Sequence, residues 1–266
     1  MYLTQRLDFS RDTATVLFHS FVALSYITPL FGAIIADSYF GRYNVILYLS
    51  VVYLTGNIIM TITAMTPPFW LGPVVALILI GTGTGGIKPC VNAFGGDQFN
   101  PDQTKELDQF FSVFYFSINV GSFMSILITP FLRAYVHCFG GDCYALAFGL
   151  PALLMAGGTL LFFCGRSTYK IVPPTEGNLI GQMLKCVMLA LRHKLTKGQE
   201  SKSHWLDHAE GSFEPAFIED MKRLLMILWL HLPLPVFWAL YDQQGSRWTL
   251  QAKQMDGYVV GHVFTV

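Results

Sequence analysis

From Tyr43 to Ile87 the chain runs without one Asp, Glu, Lys or Arg. A helix crossing the hydrocarbon core of a bilayer needs about 20 apolar residues, so this stretch is long enough for two crossings. Thr66-Pro67-Pro68 divides it, because proline lacks an amide hydrogen and disfavours helix in the residue before it. Four more charge-free runs, Thr13–Ala36, Gln109–Leu132, Cys143–Gly165 and Leu224–Tyr241, are each suited to one crossing. The sequence therefore predicts an all-α integral membrane protein with six transmembrane helices. Charged residues make up 13% of the chain, about half the roughly 25% of a globular protein, too few to clothe a soluble surface of this size. Net charge is zero, which argues against nucleic acid as a partner.

The placement of Lys and Arg predicts the orientation. Arg6, Arg11, Arg133, Arg247 and Lys253 fall on one side; Arg42, Lys105 and nine cations within 166–223 fall on the other. The richer side is expected to be cytoplasmic. This gives an extracellular segment over 1–12, five helices over 13–165, a cytoplasmic loop over 166–223, a sixth helix over 224–246 and an extracellular tail over 247–266. Within the long loop, Ile180, Leu184, Val187, Met188, Leu191 and Leu195 recur at helical spacing beside Lys185, Arg192 and His193. That pattern suits an amphipathic helix on the membrane surface. Lys197–Ser203, which follows, is polar and reads as flexible. Cys138 and Cys143 share an outer loop where a disulfide can persist, and either a bridge or two free thiols fits the spacing.

Some polar residues lie where hydrocarbon is expected. Lys88 sits within Gly81-Thr-Gly-Thr-Gly-Gly-Ile-Lys88-Pro89, and a lysine at a helix centre costs roughly 2.5–3.5 kcal/mol on insertion scales. Snorkelling to the inner headgroups would relieve it. The glycines favour a functional cation instead, since they permit close helix packing and an opening beside the ammonium; its natural partner is a carboxylate. The stretch is no phosphate loop, because Ile87 separates Gly86 from Lys88 and Pro89 follows. His19 lies roughly 9 Å below the outer surface at 1.5 Å per residue, and imidazoles titrate near the pH of a mildly acidic exterior. Tyr26 shares its helix face. Asp242 stands at the outer end of the sixth span, where a contact with His19 would close an outer gate; a neutral His19 bonded to a helix carbonyl is the alternative. Tyr115 and Asn119 are stacked four apart in mid-span, where an Asn also serves ordinary helix packing. His204 and His208 have a zinc-compatible spacing, but one such pair gives no ground for expecting a metal. No nucleophile–base pair appears in the spans, so an enzyme is not expected.

Longer motifs then carry a resemblance. Gly32-Ala-Ile-Ile-Ala-Asp37-Ser-Tyr-Phe-Gly41-Arg42-Tyr resembles the inner-loop signature of major facilitator transporters. Phe114-Tyr115-Phe-Ser-Ile-Asn119-Val-Gly121-Ser122, Gly85-Gly86-Ile87-Lys88-Pro89-Cys90 with Phe94-Gly95-Gly96-Asp97-Gln98-Phe99, and Phe237-Trp238 through Arg247-Trp248 are similar to the proton-coupled oligopeptide transporters, of the animal di- and tripeptide type. The resemblance implies part of a major facilitator fold and proton-coupled symport of di- and tripeptides by alternating access. It implies a multi-pass protein of the plasma membrane, with protons as the coupling ion and no other cofactor.

By position, the resemblance implies that Lys88 binds the peptide carboxylate and couples to protonation. Tyr26, Tyr115, Asn119, Trp238 and Gln244 would line the pocket, and His19, Asp242 and Ser246 would form a proton-sensitive outer gate. The six spans correspond to the family's helices two to seven. The first helix, with its Glu-x-x-Glu-Arg motif, and the C-terminal half have no counterpart in the chain, which therefore reads as an incomplete form. Its rival reading is a non-transporting isoform that binds or regulates a full-length transporter.

Overall fold

The computed structural model describes residues 2–65, 69–138, 141–174, 179–196 and 202–252, with 254–255, 258–259 and 262–263. The Thr66–Pro68 divider, Lys197–Ser201 and Lys253 lie outside the described residues, as do the side chain of Ile180 and the last residues of the tail. Hydrocarbon offers backbone groups no partner, so spanning segments must satisfy their own hydrogen bonds. The chain is accordingly helical almost throughout: α1 Arg11–Ile35, α2 Arg42–Met65, α3 Leu71–Asp97, α4 Thr104–Tyr135, α5 Tyr144–Cys164, α6 Leu179–Thr196, α7 Pro215–Leu230, α8 Leu234–Tyr241 and α9 Arg247–Ala252. Among the described residues, six segments are long and apolar enough to cross a membrane: Arg11–Phe40, Arg42–Met65, Leu71–Asp97, Thr104–Arg133, Tyr144–Thr168 and Pro215–Ala252. This is a multi-pass membrane protein.

The chain forms two units, residues 1–176 and 177–266, and each is described by itself. In the first unit Ser10 starts α1: its Oγ accepts from the Thr13 amide at 3.1 Å, satisfying one of the donors that every helix start leaves open. A π-helical turn, Ala36–Phe40, extends α1 and ends at Gly41, whose φ of +78° lies in the left-handed region where glycine bears no steric cost.

α3 is the hub of this unit, packing on both α1 and α2. Its contact with α1 is a glycine crossing. A Cβ on Gly32 would stand 2.6 Å from the Gly86 Cα and 2.7 Å from its carbonyl oxygen, so the two backbones touch only because Gly32 has no side chain. At one end of the unit Tyr2, Met60, Ala64, Ala76, Tyr144 and Ala145 form a buried cluster. At the other, Ala36, Tyr43, Val45, Ile46, Cys90 and Phe94 form a second. There the Phe162 ring stacks on Tyr43 with centroids 5.0 Å apart, and the Arg166 guanidinium lies 5.7 Å over Tyr43. The loop between α4 and α5 pairs Cys138 with Cys143, settling the alternative that the spacing leaves open in favour of the bridge. A two-residue antiparallel ladder, His137–Cys138 with Gly141–Asp142, flanks it.

The second unit begins with α6, which packs on a 3-10 turn at Trp205–Ala209 and on the start of α7. Cys186, Ala190, Leu206, Ala209, Ile218 and Met221 are its buried residues. α7 starts at Pro215, before the charge-free run, because its charges find partners. Lys222 bonds Glu219 at 3.3 Å and Asp207 at 2.7 Å, while Ile218 and Met221 point into the cluster. The apolar run then breaks at His231–Pro233: Pro233 and Pro235 have no N–H for the ladder, and α8 restarts at Leu234.

Asp207 organises the turn. It is 6% exposed, and its second oxygen accepts from the Ser203 hydroxyl at 3.0 Å and the His204 amide at 2.9 Å. The Lys222 ammonium, first among these partners, holds its carboxyl down at about 2 from an ordinary 3.8. His204 is a helix cap, its Nδ1 accepting from the Leu206 amide at 3.2 Å, and His208 Nδ1 bonds the Trp205 carbonyl at 3.2 Å. No group of three metal-compatible side chains occurs among the described residues.

Gly32→Ala is expected to lower stability by about 1–3 kcal/mol, the usual range for overpacking. Gly157→Ala, whose Cβ meets nothing within 4 Å, is expected to leave the melting temperature in detergent unchanged or slightly higher. The depressed Asp207 carboxyl stabilises the second unit fully above its unfolded value near pH 4, and that contribution is lost as pH falls toward about 2. Amide protection across 204–222 should therefore drop between those limits, and Asp207→Asn should abolish the pH dependence there while lowering protection at neutral pH.

Candidate functional site

Lys88 is carried by α3 with its side chain exposed. Among the described residues it holds no hydrogen-bond or ion-pair partner. Gly81, Gly85 and Lys88 stand at i, i+4 and i+7, hence on one helix face. The two glycines lie against α1: a Cβ on Gly81 would meet Leu24 at 3.1 Å, and one on Gly85 would lie 2.8 Å from the Ser25 carbonyl. The ammonium thus issues beside the closest approach of α1 and α3. Pro89 and Pro29 interrupt both ladders there. Neither can donate, so the carbonyls of Gly85 and Ser25 lose their i+4 partners. The Thr28 hydroxyl bridges the helices, donating to Leu24 at 2.9 Å and reaching the Gly81 carbonyl at 3.3 Å. A fixed cation beside polar backbone in a hydrocarbon-depth crossing is equipped to hold a carboxylate.

The other expected residues are spread over both units. His19 is half-buried on α1, its ring 5.4 Å from that of Phe18. Tyr26 shares that face and lies roughly opposite, at 100° per residue, the Ser25–Thr28–Gly32 strip that packs on α3. Tyr115 on α4 is 66% exposed, and Asn119 donates to the Tyr115 carbonyl at 2.8 Å, within its own helix. In the second unit Trp238 packs edge-on against Tyr241 at 5.4 Å. Asp242 opens the 3-10 turn Asp242–Gly245. The Gln244 carbonyl accepts from the Thr249 hydroxyl at 2.7 Å, and Ser246 is buried. His19, Tyr26, Lys88, Tyr115 and Asn119 therefore belong to the first unit, and Trp238, Asp242, Gln244 and Ser246 to the second.

One apolar groove of about 430 Å³ lies among α1, α2 and α3, lined by Thr28, Phe31, Gly32, Ile35, Phe40, Val45, Tyr48, Leu49, Thr82 and Gly86. It carries no charged lining residue, so it offers nothing to a doubly charged ligand, and Lys88 is outside it.

Sequence reasoning missed a charged cluster at one end of the bundle. Arg42 Nη1 lies 2.7 Å from both Asp97 oxygens, and Arg42 Nε lies 3.0 Å from Asp37 Oδ1. One guanidinium so ties the end of α1, the start of α2 and the end of α3. Beside it Gln98 pairs with the Lys170 backbone, accepting from its N–H at 2.9 Å and donating to its C=O at 3.1 Å. The available signal was Asp97 itself, a carboxylate closing a helix whose other charged residue is Lys88, within one turn of Phe94. A double-mutant cycle on Arg42→Gln and Asp97→Asn is expected to give a coupling on the order of 1–2 kcal/mol. The cycle with Asp37→Asn should give less, because that side chain is 52% exposed.

Lys88 thus stands beside tightly crossed, proline-interrupted helices of a multi-pass membrane protein, and comparisons with known proteins make the class specific. The POT family profile (PTR2) matches residues 43–266. The chain is 48% identical over 264 residues to solute carrier family 15 member 2 of Danio rerio, covering 96% of this chain and 36% of that protein. It is 49% identical over 267 residues to peptide transporter family 1 of Drosophila melanogaster, covering 98% of this chain and 36% of that one. Among solved structures, the POT family transporter PepTSo superposes with a TM-score of 0.79 at 30% identity, over 99% of this chain and 59% of that one. A proton dependent oligopeptide (POT) family transporter gives 0.71 at 33% identity, over 95% and 57%.

The chain belongs to the POT family. Its helices form part of the major facilitator fold, and the protein is a transporter relative, not an enzyme. It spans about a third, 36%, of the length of the curated relatives it matches.

Proposed function

We propose that the protein carrying this sequence moves di- and tripeptides inward across the plasma membrane, coupled to protons, with the cation-rich segment 166–223 on the cytoplasmic side. The observation that carries the reading is Lys88, exposed and unpaired among the described residues, on the glycine face of α3. An ammonium at this depth is costly unless it meets a carboxylate, and every peptide supplies one at its C-terminus. The Drosophila melanogaster relative at 49% identity is named peptide transporter family 1, which supports the same substrate class.

In this reading Lys88 holds the peptide carboxylate, and its interaction with the carboxylate is tied to protonation. Asn119 and Tyr115 meet the peptide backbone, and Tyr26, Trp238 and Gln244 complete the pocket. Because the contacts are to termini and backbone, side chains vary freely. His19, with Asp242 and Ser246, serves as the proton-sensitive outer gate. Protons are the coupling ion and no other cofactor takes part.

The test is uptake of a labelled, hydrolysis-resistant dipeptide into cells with verified surface expression, compared at pH 6 and 7.5 outside, the range over which an imidazole titrates. Uptake should rise at the lower pH, and Lys88→Ala should reduce it at least about tenfold, the loss of one charge-assisted contact. Uptake retained with unchanged affinity in Lys88→Ala would remove Lys88 from the site.

A further inference from the structure

α6 has two apolar faces, and only one is covered. Cys186 and Ala190 are fully buried against Leu206, Ala209, Ile218 and Met221, with Met183 and Val187 packed at the edge. On the other side Leu184, Met188, Leu191 and Leu195 are 57%, 64%, 46% and 84% exposed. Their spacing of four, three and four places them in one stripe, roughly 16 Å long at 1.5 Å per residue. At 100° per residue the stripe lies about 150° from the Cys186 and Ala190 face, so one protein surface cannot cover both faces. Lys185 and Arg192 border the stripe on one side and Lys194 on the other, all three exposed. The helix contains no Asp or Glu.

We propose that this stripe docks α6 flat on a bilayer surface that contains anionic lipid. The four apolar side chains enter the boundary between headgroups and acyl chains, and Lys185, Arg192 and Lys194 reach lipid phosphates and carboxylates along both edges. Charge selects a membrane over a protein groove as the occupant: a stripe bordered on both sides by cations, with no acidic residue on the helix, complements a continuous anionic plane. Tethering adds to this, because the same unit runs on into the spanning segment that begins at Pro215. The docking is independent of transport, so it stands or falls apart from the peptide reading.

The test uses the whole chain in nanodiscs of phosphatidylcholine, alone or mixed three to one with phosphatidylserine. With exposed Cys164 replaced by Ser, a bimane fluorophore is placed at Met188→Cys in the stripe or at Gln182→Cys, an exposed position on another face. Quenching by lipids spin-labelled near the headgroup is then read. Position 188 should be quenched, position 182 much less, and phosphatidylserine should raise quenching at 188 at least about twofold. Lys185→Gln with Arg192→Gln, both exposed, should erase that increment. Absence of quenching at 188 in both compositions would overturn the proposal, whether protein or water then covers the stripe. Equal quenching at 182 and 188 would overturn it too, as would quenching at 188 indifferent to phosphatidylserine.

Discussion

The first unit depends on how closely α1 and α3 can approach. Lipid tails are as apolar as leucine side chains, so burying hydrocarbon does little to hold two helices together inside a bilayer. What remains is van der Waals contact and the occasional polar bridge, both steep functions of distance. Gly32 over Gly86 brings backbone against backbone, and the Thr28 hydroxyl can span to the Gly81 carbonyl only because the axes are that near. Everything carried by α3, including its contact with α2 and the placement of Lys88, inherits its position from that crossing.

The same crossing concentrates irregularity where polar groups are useful. Pro29 and Pro89 interrupt both hydrogen-bond ladders close to the contact. In water such defects would be solvated at little cost. At hydrocarbon depth they leave carbonyls that favour a polar neighbour, and Lys88 stands beside them. At the helix ends charge is handled differently: Arg42 meets Asp37 and Asp97, so three termini share one charge network.

The lipid makes much of this legible in sequence. A slab of fixed thickness imposes long charge-free runs of similar length, and those runs show the number of crossings directly. Lys88 stands out because it is a lone cation among glycines. What stayed hidden depended on partners distant in the chain or on competing patterns. Arg42 finds Asp97 fifty-five positions away, which periodicity cannot reveal. The charge-free run begins only at Leu224, inside α7, because Glu219, Asp220, Lys222 and Arg223 look like loop in sequence, although Lys222 and Glu219 pair within the helix. α6 showed one apolar stripe, whereas Cys186 and Ala190, small and unremarkable in sequence, build the second and better buried face. The relation between Tyr115 and Asn119 was read as a shared face and is also a hydrogen bond along one helix.

The break between α7 and α8 has a mechanical meaning. A continuous helix is stiff, and tilting it moves its two ends together. Here the ladder is cut at Pro233, and the ring of His231 leans back to the Ile227 carbonyl at 2.7 Å, leaving the Leu234 N–H to His231 carbonyl bond at 3.0 Å across the break. The shorter rod, Leu234–Tyr241, is 8 residues, roughly 12 Å long. Swinging it by about 20°, an ordinary helix tilt in a bilayer, carries its tip about 4 Å while α7 stays still. The cut turns one spanning strut into a lever with a fixed base.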